Sequence, residues 1–422
     1  MTNFPIIRHL TKPIKIVIGP AAVMTAGVMG AGSTTSLVLA GTYFGYQLLW
    51  VVVFTLPVLV IAQDSASRIG ILSGNKGMFT IMSEQIHPGL KWFFLPPILV
   101  LGYIANMGQA KVMVHAAHTL LGLKHPDEAI IIITTVVLVT GALFSVIYGG
   151  YRAIERIMTG VLFIMAITFL VVAGRGFSEP LQVLKGLLPE IPADAGGRQA
   201  MNFIAAIAGG AIAITAILSF PYFTGEAGYS QQHIPMAFKK AIISFGVVFG
   251  IWSISALVAG GSVLHKLPNA LEIQNAAQAG QVLGPALGKG GVILFSLGLF
   301  GAAYSTLVTV AQLQTYFILD AFEKNWHFKV QNRRFRWIYA ALLLLPGLSS
   351  FMWTFPALLA IVAAMVLGIL GTPMALLLVI YLVNKKELMG QFKAGFLRNA
   401  ILVFGFLLSL WIAIRKIEDF LR

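Results

Sequence analysis

The chain has 422 residues, of which 58% are hydrophobic and 10% are charged, with a mean hydropathy of +0.86 and a net charge of +14. This composition excludes a soluble globular domain and predicts an all-α integral membrane protein, because runs of about 20 apolar residues recur along the whole sequence. The absence of cysteine excludes disulfides and thiolate metal sites, and the basic residues lie in short loops, so no nucleic-acid partner is expected.

About eleven transmembrane helices are predicted in chain order, and residues 1–422 are expected to form a single membrane domain. The longest polar connection, 174–200, is too short to fold by itself. The expected helices are 16–42, 45–66, 93–121, 129–149, 155–173, 201–224, 238–263, 290–318, 336–351, 355–383 and 397–415.

The distribution of basic residues predicts how the chain lies in the bilayer. Lysine and arginine gather in alternate loops, which is the pattern of cytoplasmic loops in a bacterial-type inner (cytoplasmic) membrane. An odd number of spans then places the amino terminus in the cytoplasm and the carboxyl terminus outside. The residues that indicate the cytoplasmic side are Arg8, Lys12, Lys15, Arg68, Lys76, Lys91, Arg152, Arg156, Lys239, Lys240, Lys324, Lys329, Arg333, Arg334, Arg336, Lys385, Lys386, Lys393 and Arg398.

The number of spans suggests two inverted repeats of five helices, 16–173 and 201–383, with 397–415 as an extra helix. In transporters built this way, the substrate site lies near the bilayer midplane, between helices that are interrupted at corresponding places in the two halves. We therefore expect helices 1 and 6, the first of each half, to be broken.

Both helices contain residues that favour a break. Helix 1 reads "GAGSTT" from Gly30 to Thr35, and helix 6 has two adjacent glycines followed by Pro221, which removes a helical hydrogen bond. The alternative for Gly209 and Gly210 is close packing against another membrane helix. The candidate substrate-binding residues are Gly30, Ala31, Gly32, Ser33, Thr34, Thr215, Ser219, Pro221 and Tyr222.

Several segments resemble the Nramp (natural resistance-associated macrophage protein) family of divalent metal ion transporters. "LAGTYFGYQLLWVVV" is similar to the family's run after the first break, and "RIGILSGNKG" to its following loop. "GYRAIERIMTGVLFIMAITFLV", "LFSLGLFGAAYSTLVTVAQLQTYFILDAF" and "NKKELMGQF" resemble later segments, in the same order. The resemblance implies a leucine-transporter-type 5+5 inverted repeat that works by alternating access.

The resemblance also shows where this chain departs from the family. The metal-binding Asp-Pro-Gly-Asn motif falls on Gly30, Ala31, Gly32 and Ser33. The Met-Pro-His-Asn motif of helix 6 falls on 214–217 or, if Pro221 is the anchor, on 220–223, and neither alignment restores the thioether ligand. The acids of the family's proton route align with Asn106 and Gln109, whose amide side chains neither take up nor release a proton. The metal ligands therefore stay unknown, and proton coupling is expected to be weak or absent.

These departures leave three functional hypotheses open. The first is transport of a hydrated ion similar to Mg²⁺ rather than Mn²⁺ or Fe²⁺, since hydroxyls and carbonyls suit a retained water shell. The second is transport of an amino acid or another small carboxylate, bound by backbone N–H groups at the glycine-rich break. The third is a receptor or scaffold that does not transport. No catalytic arrangement or nucleotide-binding loop is present, so we expect no enzyme activity, cofactor or ATPase subunit.

The remaining charged residues suggest local roles. Asp64 is expected to pair with Arg68 one helical turn away, and Asp320 to lie on the surface. Glu226 is a candidate for lining the cytoplasmic exit. Lys111 lies within helix 3, where it either replaces the coupled proton by a fixed charge or extends towards the membrane interface. A metal pair formed by His115 and His118 lacks an evident third ligand.

Overall fold

The computed structural model describes residues 20–123, 126–176, 179–268, 270–272, 276–329, 331–352 and 357–421, and these residues form helices and loops without a β-strand. The basic residues at positions 8, 12 and 15 lie outside the described part. The helices are α1 Pro20–Val28, α2 Ala31–Phe44, α3 Leu49–Leu72, α4 Met78–Gln85, α5 Leu90–Leu120, α6 Glu128–Gly176, α7 Pro180–Lys185, α8 Ala200–Ala211, α9 Ile214–Glu226, α10 Gln231–Leu264, α11 Ala276–Ala321, α12 Arg333–Ser349, α13 Ala357–Asn384, α14 Lys386–Met389 and α15 Phe396–Leu421.

Among the described residues, nine helical segments are long and apolar enough to cross a membrane, and the bent pair α1 and α2 makes a tenth. The expected helices 129–149 and 155–173 both lie within α6, which is helical throughout Glu128–Gly176, so the loop expected between them is helical. Glu128–Tyr148 is one of the nine spans, and the 49 residues of α6, at about 1.5 Å each, exceed the length of a single crossing. The intervening sequence contains two glycines but no proline, and glycine alone costs only about 1 kcal/mol in a helix.

The first broken helix lies in the protein interior. α1 and α2 are bent by 52° across Met29 and Gly30, and every residue from Pro20 to Tyr46 is buried. A β-carbon on Gly41 of α2 would run into the backbone of α10, and one on Gly260 of α10 would run into the backbone of α2. These two glycines therefore allow α2 and α10 to cross in backbone contact.

The second broken helix is interrupted between Ala211 of α8 and Ile214 of α9. The expectation of a break in the first helix of each half is thus confirmed, while the exact positions differ. In helix 1 the chain is helical again from Ala31 onwards. In helix 6, Pro221 lies inside α9, where it packs against Gly70 of α3, so it does not form the break.

A buried charge cluster joins the last helix to the rest of the fold. The carboxylate of Asp64 on α3 lies 2.7 Å from Arg68, as expected, and also 2.6 Å from Arg398 of α15. The Asp64 side chain is fully buried, and both guanidinium groups lie over the ring of Phe238 on α10. α15 is therefore held against α3 and α10 by charge as well as by packing.

Candidate functional site

A cavity of about 120 Å³ lies where the two broken helices meet. Its wall comes from α1, α5, α8, α9, α11 and α13, together with the linkers at the two breaks. Most of the lining residues are glycine or apolar. The lining side chains that carry oxygen, nitrogen or sulfur are Met24, Gln109, Thr215, Thr306, Thr309 and Met365.

Three of the last four carbonyl groups of α1 accept hydrogen bonds from hydroxyl groups. The last four carbonyls of a helix lack partners within the helix, and here that of Thr25 accepts a hydrogen bond from the backbone N–H of Met29. The other three accept from side chains: Ser305 donates to Ala26 (2.8 Å), Thr306 to Gly27 (2.6 Å) and Ser33 to Val28 (2.8 Å). The break is thus stabilised by groups within the protein.

This arrangement explains why position 30 is a glycine. Its backbone angles (φ −68°, ψ 172°) are open to any residue, so conformation does not require glycine. A β-carbon at position 30 would, however, overlap the hydroxyl of Thr306 and lie 2.9 Å from its β-carbon. The position where the resemblance implies a metal-binding aspartate therefore has no room for a side chain while Thr306 caps Gly27.

The break in helix 6 is stabilised from α13. The hydroxyl of Thr372 donates to the carbonyl oxygen of Ile212 at 3.0 Å. A β-carbon on Gly209 would overlap the carbonyl oxygen of Met365, and one on Gly210 would lie 2.8 Å from the hydroxyl of Ser33. Both glycines also line the cavity. They therefore allow neighbouring segments to pack closely and also leave space beside the break.

Two of the proposed coupling positions lie at or near the cavity. Gln109 lines it, and its Oε1 accepts a hydrogen bond from the backbone N–H of Ala31 at 3.2 Å. Asn106, which does not line it, donates to the carbonyl oxygen of Leu342, and its own Oδ1 is buried without a hydrogen-bond partner among the described residues. Lys111 is two residues beyond Gln109 and so lies on the other side of α5.

Two methionines line the cavity, although the expected site residues include no methionine. Met24 lies on α1, one turn before the break, and its sulfur accepts a hydrogen bond from Ser219 at 3.4 Å. Met365 of α13 lines the opposite wall, against Gly32. The sulfur atoms come from α1 and α13 instead of from α9, where the family motif would place one.

The other candidate residues lie outside the cavity wall. Ser33 and Thr34 use their hydroxyls on backbone carbonyls within the same helix region, and Ser219 donates to the carbonyl of Ala216 as well as to Met24. Pro221 lies two residues further along α9. The structure therefore brings Gly30, Thr215 and Gln109 to the cavity, and leaves Ala31, Gly32, Ser33, Thr34, Ser219, Pro221, Tyr222 and Glu226 behind its wall or further away.

Tyr222 belongs to a separate polar cluster around Asp320. Its hydroxyl donates to Asp320 Oδ2 at 2.6 Å, and the same carboxylate accepts from the backbone N–H of Phe79 (2.9 Å) and from the backbone and hydroxyl of Thr80. Asp320 is 2% exposed, so the expected surface position was wrong. The carboxylate caps the first turn of α4 and ties it to α9 and α11.

Glu226 is held by the loop that follows α11. Its side chain is 7% exposed, accepts a hydrogen bond from the backbone N–H of Phe328 at 2.5 Å, and lies 3.7 Å from His327 Nδ1. Trp326 in the same loop packs edge-on against Tyr222. Glu226 therefore holds this loop at the end of α9. It does not line the cavity, and its place at a cytoplasmic exit stays a prediction.

No cluster of three or more histidine, cysteine, aspartate or glutamate side chains that could hold a metal is found in the described residues. His118 pairs with the hydroxyl of Thr134 on α6 at 3.1 Å. The described side chains that line the cavity and carry oxygen, nitrogen or sulfur are all uncharged.

Of the six lining side chains that carry oxygen, nitrogen or sulfur, four were missed from the sequence: Met24, Thr306, Thr309 and Met365. A signal existed for the two threonines. The segment "YSTLVTV" places Ser305, Thr306 and Thr309 on one face of a helix, and freed carbonyls at a break require such donors. Nothing in the sequence distinguishes the two methionines from the other 13 in the chain.

Comparisons with known proteins agree with this architecture. The sequence model of the family described as "Natural resistance-associated macrophage protein-like" (Nramp) matches residues 21–418. The protein named "Divalent metal cation transporter MntH" from Yersinia enterocolitica is 23% identical over 385 residues, which cover 90% of each chain. The protein of the same name from Chromohalobacter salexigens is 24% identical and covers 88% of this chain and 84% of its own.

Solved structures show the same fold. The Eremococcus coleocola manganese transporter, in complex with an aromatic bis-isothiourea substituted compound, superposes with a TM-score of 0.71 at 18% identity, covering 98% of this chain and 89% of its own. MhsT in complex with L-phenylalanine superposes with a TM-score of 0.63 at 13% identity, covering 96% of this chain and 98% of its own. These likenesses confirm the expected leucine-transporter-type fold, and the match over residues 21–418 shows that the chain belongs to the Nramp family.

Proposed function

We propose that this chain is a multi-pass membrane transporter that moves a divalent metal cation by alternating access through the cavity between its two broken helices. The observation that carries the proposal is the cavity itself, which lies at both breaks and is lined by residues of α1 and α9. The curated relatives that match most of the chain are named as divalent metal cation transporters.

The lining residues favour an ion that keeps part of its water shell. Gln109, Thr306 and Thr309 offer uncharged oxygens, and Met24 and Met365 offer sulfur. None of the described residues that line the wall is acidic. A cavity of about 120 Å³ has room for an ion together with several water molecules. Mg²⁺ usually keeps several of its water molecules and takes few charged ligands from the protein, whereas sulfur ligands favour softer ions. The thioethers remove our reason for placing Mg²⁺ above Mn²⁺, so the proposal includes both.

The transport cycle proposed here runs without stoichiometric proton movement. Asn106 and Gln109 stand where the resemblance implies proton-carrying acids, and both amides are engaged with the backbone of neighbouring helices. The proposal keeps the bacterial inner membrane as the location and eleven crossings, with 129–149 and 155–173 of α6 each spanning the bilayer. It therefore keeps the amino terminus in the cytoplasm and the carboxyl terminus outside.

A second candidate substrate is an amino acid or another small carboxylate. Most of the cavity wall is apolar, with Val28, Leu101 and Ile361 among its residues, and this suits an organic side chain better than an ion. Against it, the N–H of Ala31, the first of α2, already donates to Gln109, so a carboxylate would have to displace that bond.

The test is uptake into proteoliposomes that contain the purified chain. Mn²⁺ and Mg²⁺ influx is followed with an internal indicator, and lumenal pH with a second dye. Uptake of a panel of radiolabelled L-amino acids is measured in separate samples. The proposal expects saturable metal influx without proportional acidification. Amino-acid uptake with no metal influx would replace it by the second candidate, and no uptake of either would leave the non-transporting receptor or scaffold.

A further inference from the structure

We propose that the membrane face at which α12 begins binds the headgroup of an anionic phospholipid. α11 and α12 are both long and apolar enough to cross a membrane, so the loop between them lies at one membrane surface. A basic patch is exposed there, formed by Lys324, Lys329, Arg333 and Arg334. None of the four has an ion-pair partner among the residues that the structure describes.

The acidic side chains near the basic patch are already engaged with other residues. Glu323 lies 3.0 Å from Lys91 of α5, and Glu226 is buried beside His327. The four positive charges of the patch are therefore not neutralised locally. A cluster of lysine and arginine directly beside a transmembrane helix attracts anionic lipid headgroups.

The first turns of α12 continue the basic patch in the way that a phospholipid requires. Trp337 follows Arg333 by four residues and Arg334 by three, so the three side chains share one side of the helix. Trp337 is 70% exposed, and Leu345, about two turns further along, is 63% exposed. Charge at the surface, tryptophan one turn deeper and an apolar side chain below correspond to the headgroup, the interface and the acyl chains of a lipid.

The loop that carries the two lysines is fixed against the start of α12. Asn332 Nδ2 donates to the carbonyl oxygens of Asn325 (2.9 Å) and His327 (3.0 Å). Asn332 Oδ1 accepts a hydrogen bond from the backbone N–H of Phe335 at 3.2 Å. A headgroup that binds the patch would therefore meet a backbone that is already ordered, which lowers the entropic cost of binding.

Lipid binding at the basic patch would also stabilise the end of α9. Glu226, the last residue of α9, accepts a hydrogen bond from the backbone N–H of Phe328 in the loop, and Trp326 packs edge-on against Tyr222. A lipid that binds only the folded loop favours the state in which these contacts are made. Neither the binding nor this stabilisation depends on which solute the chain transports.

Binding is tested on the purified full-length chain in a neutral detergent. Thermal unfolding is followed while phosphatidylglycerol is added to the micelles, with phosphatidylcholine and glycerol 3-phosphate in parallel at constant ionic strength. We expect a saturable rise in melting temperature with phosphatidylglycerol only. Arg333→Gln/Arg334→Gln, which removes two charges of the patch, should raise the half-saturating phosphatidylglycerol concentration by about tenfold.

The matched control is Lys386→Gln/Lys393→Gln. It removes the same charge from two exposed lysines in the connection between α13 and α15, which are predicted to lie on the same side of the membrane. This variant should respond to phosphatidylglycerol as the wild type does.

Three results would overturn the proposal. The wild type could show no shift specific to phosphatidylglycerol, the folded Arg333→Gln/Arg334→Gln variant could respond as the wild type does, or the control could lose as much of the response as that variant. A shift with glycerol 3-phosphate equal to that with the lipid would indicate a site for a free phosphate ester and would also contradict the proposal. Where the double arginine variant does not purify as a folded protein, Lys324→Gln/Lys329→Gln replaces it, with the same expectation.

Discussion

The hydroxyl of Thr306 donates to the carbonyl oxygen of Gly27 at 2.6 Å, from the space that a side chain on Gly30 would need. One side chain of α11 thus stabilises the first half of the broken helix and determines which residue can begin the second. A side chain at position 30, where the resemblance implies an aspartate, would therefore compete for space with the hydroxyl of Thr306 that caps Gly27.

Gly30→Ala is expected to destabilise the protein by about 1–3 kcal/mol, because the added methyl group overlaps Thr306 and forces its hydroxyl away from Gly27. Denaturant unfolding in detergent measures the change. The double variant Gly30→Ala/Thr306→Ala should cost less than the sum of the two single changes, since the overlap is then gone. Simple additivity would show that the two residues do not compete for this space.

Tyr222→Phe separates a structural role from a substrate-binding one. The change removes the 2.6 Å hydrogen bond to the buried carboxylate of Asp320, and we expect a loss of about 1.5–3 kcal/mol in stability. Substrate affinity, measured by the concentration that half-saturates uptake, should stay the same because Tyr222 does not line the cavity. An altered substrate affinity with unchanged stability would show that Tyr222 belongs to the substrate site.

Arg398→Met tests the charge cluster that holds α15. Asp64 is fully buried and keeps Arg68 as its ionic partner but loses the charge-assisted contact with Arg398, so we expect a loss of about 1.5–3 kcal/mol. The matched control is Lys76→Met, whose partner Glu84 is 44% exposed, and this should change stability by only about 0–1 kcal/mol. Equal effects of the two substitutions would contradict the packing described for α15.

Met365→Leu tests whether sulfur contributes to ion selection. The two side chains have similar volumes, so the cavity keeps its shape while losing one thioether. We expect Mn²⁺ uptake to fall relative to Mg²⁺ uptake, since the softer ion gains more from sulfur. Met113→Leu, at a buried position outside the cavity, serves as the control. An unchanged Mn²⁺ to Mg²⁺ ratio in Met365→Leu would exclude this sulfur as a ligand.

Sequence alone predicted the membrane fold and the two broken helices, because apolar runs and breaks of glycine are local features. It did not predict the exact breaks: Pro221 signals an interruption, yet packing against Gly70 keeps α9 helical around it. Contacts between segments that are distant in the sequence could not be predicted either. Thr306 reaches Gly27 and Asp320 reaches Phe79 across 279 and 241 residues respectively, and no local pattern encodes those pairings.

Substrate passage through the cavity can be tested by blocking it chemically. The chain contains no cysteine, so Ala213→Cys, at the helix 6 break, provides a single thiol in the wall of the cavity. Gln47→Cys, at an exposed loop position, is the control. We expect complete modification by a methanethiosulfonate reagent to abolish metal uptake by Ala213→Cys only, and Mn²⁺ to slow the modification. Fully modified Ala213→Cys that transports at the unmodified rate would contradict a substrate path between the two broken helices.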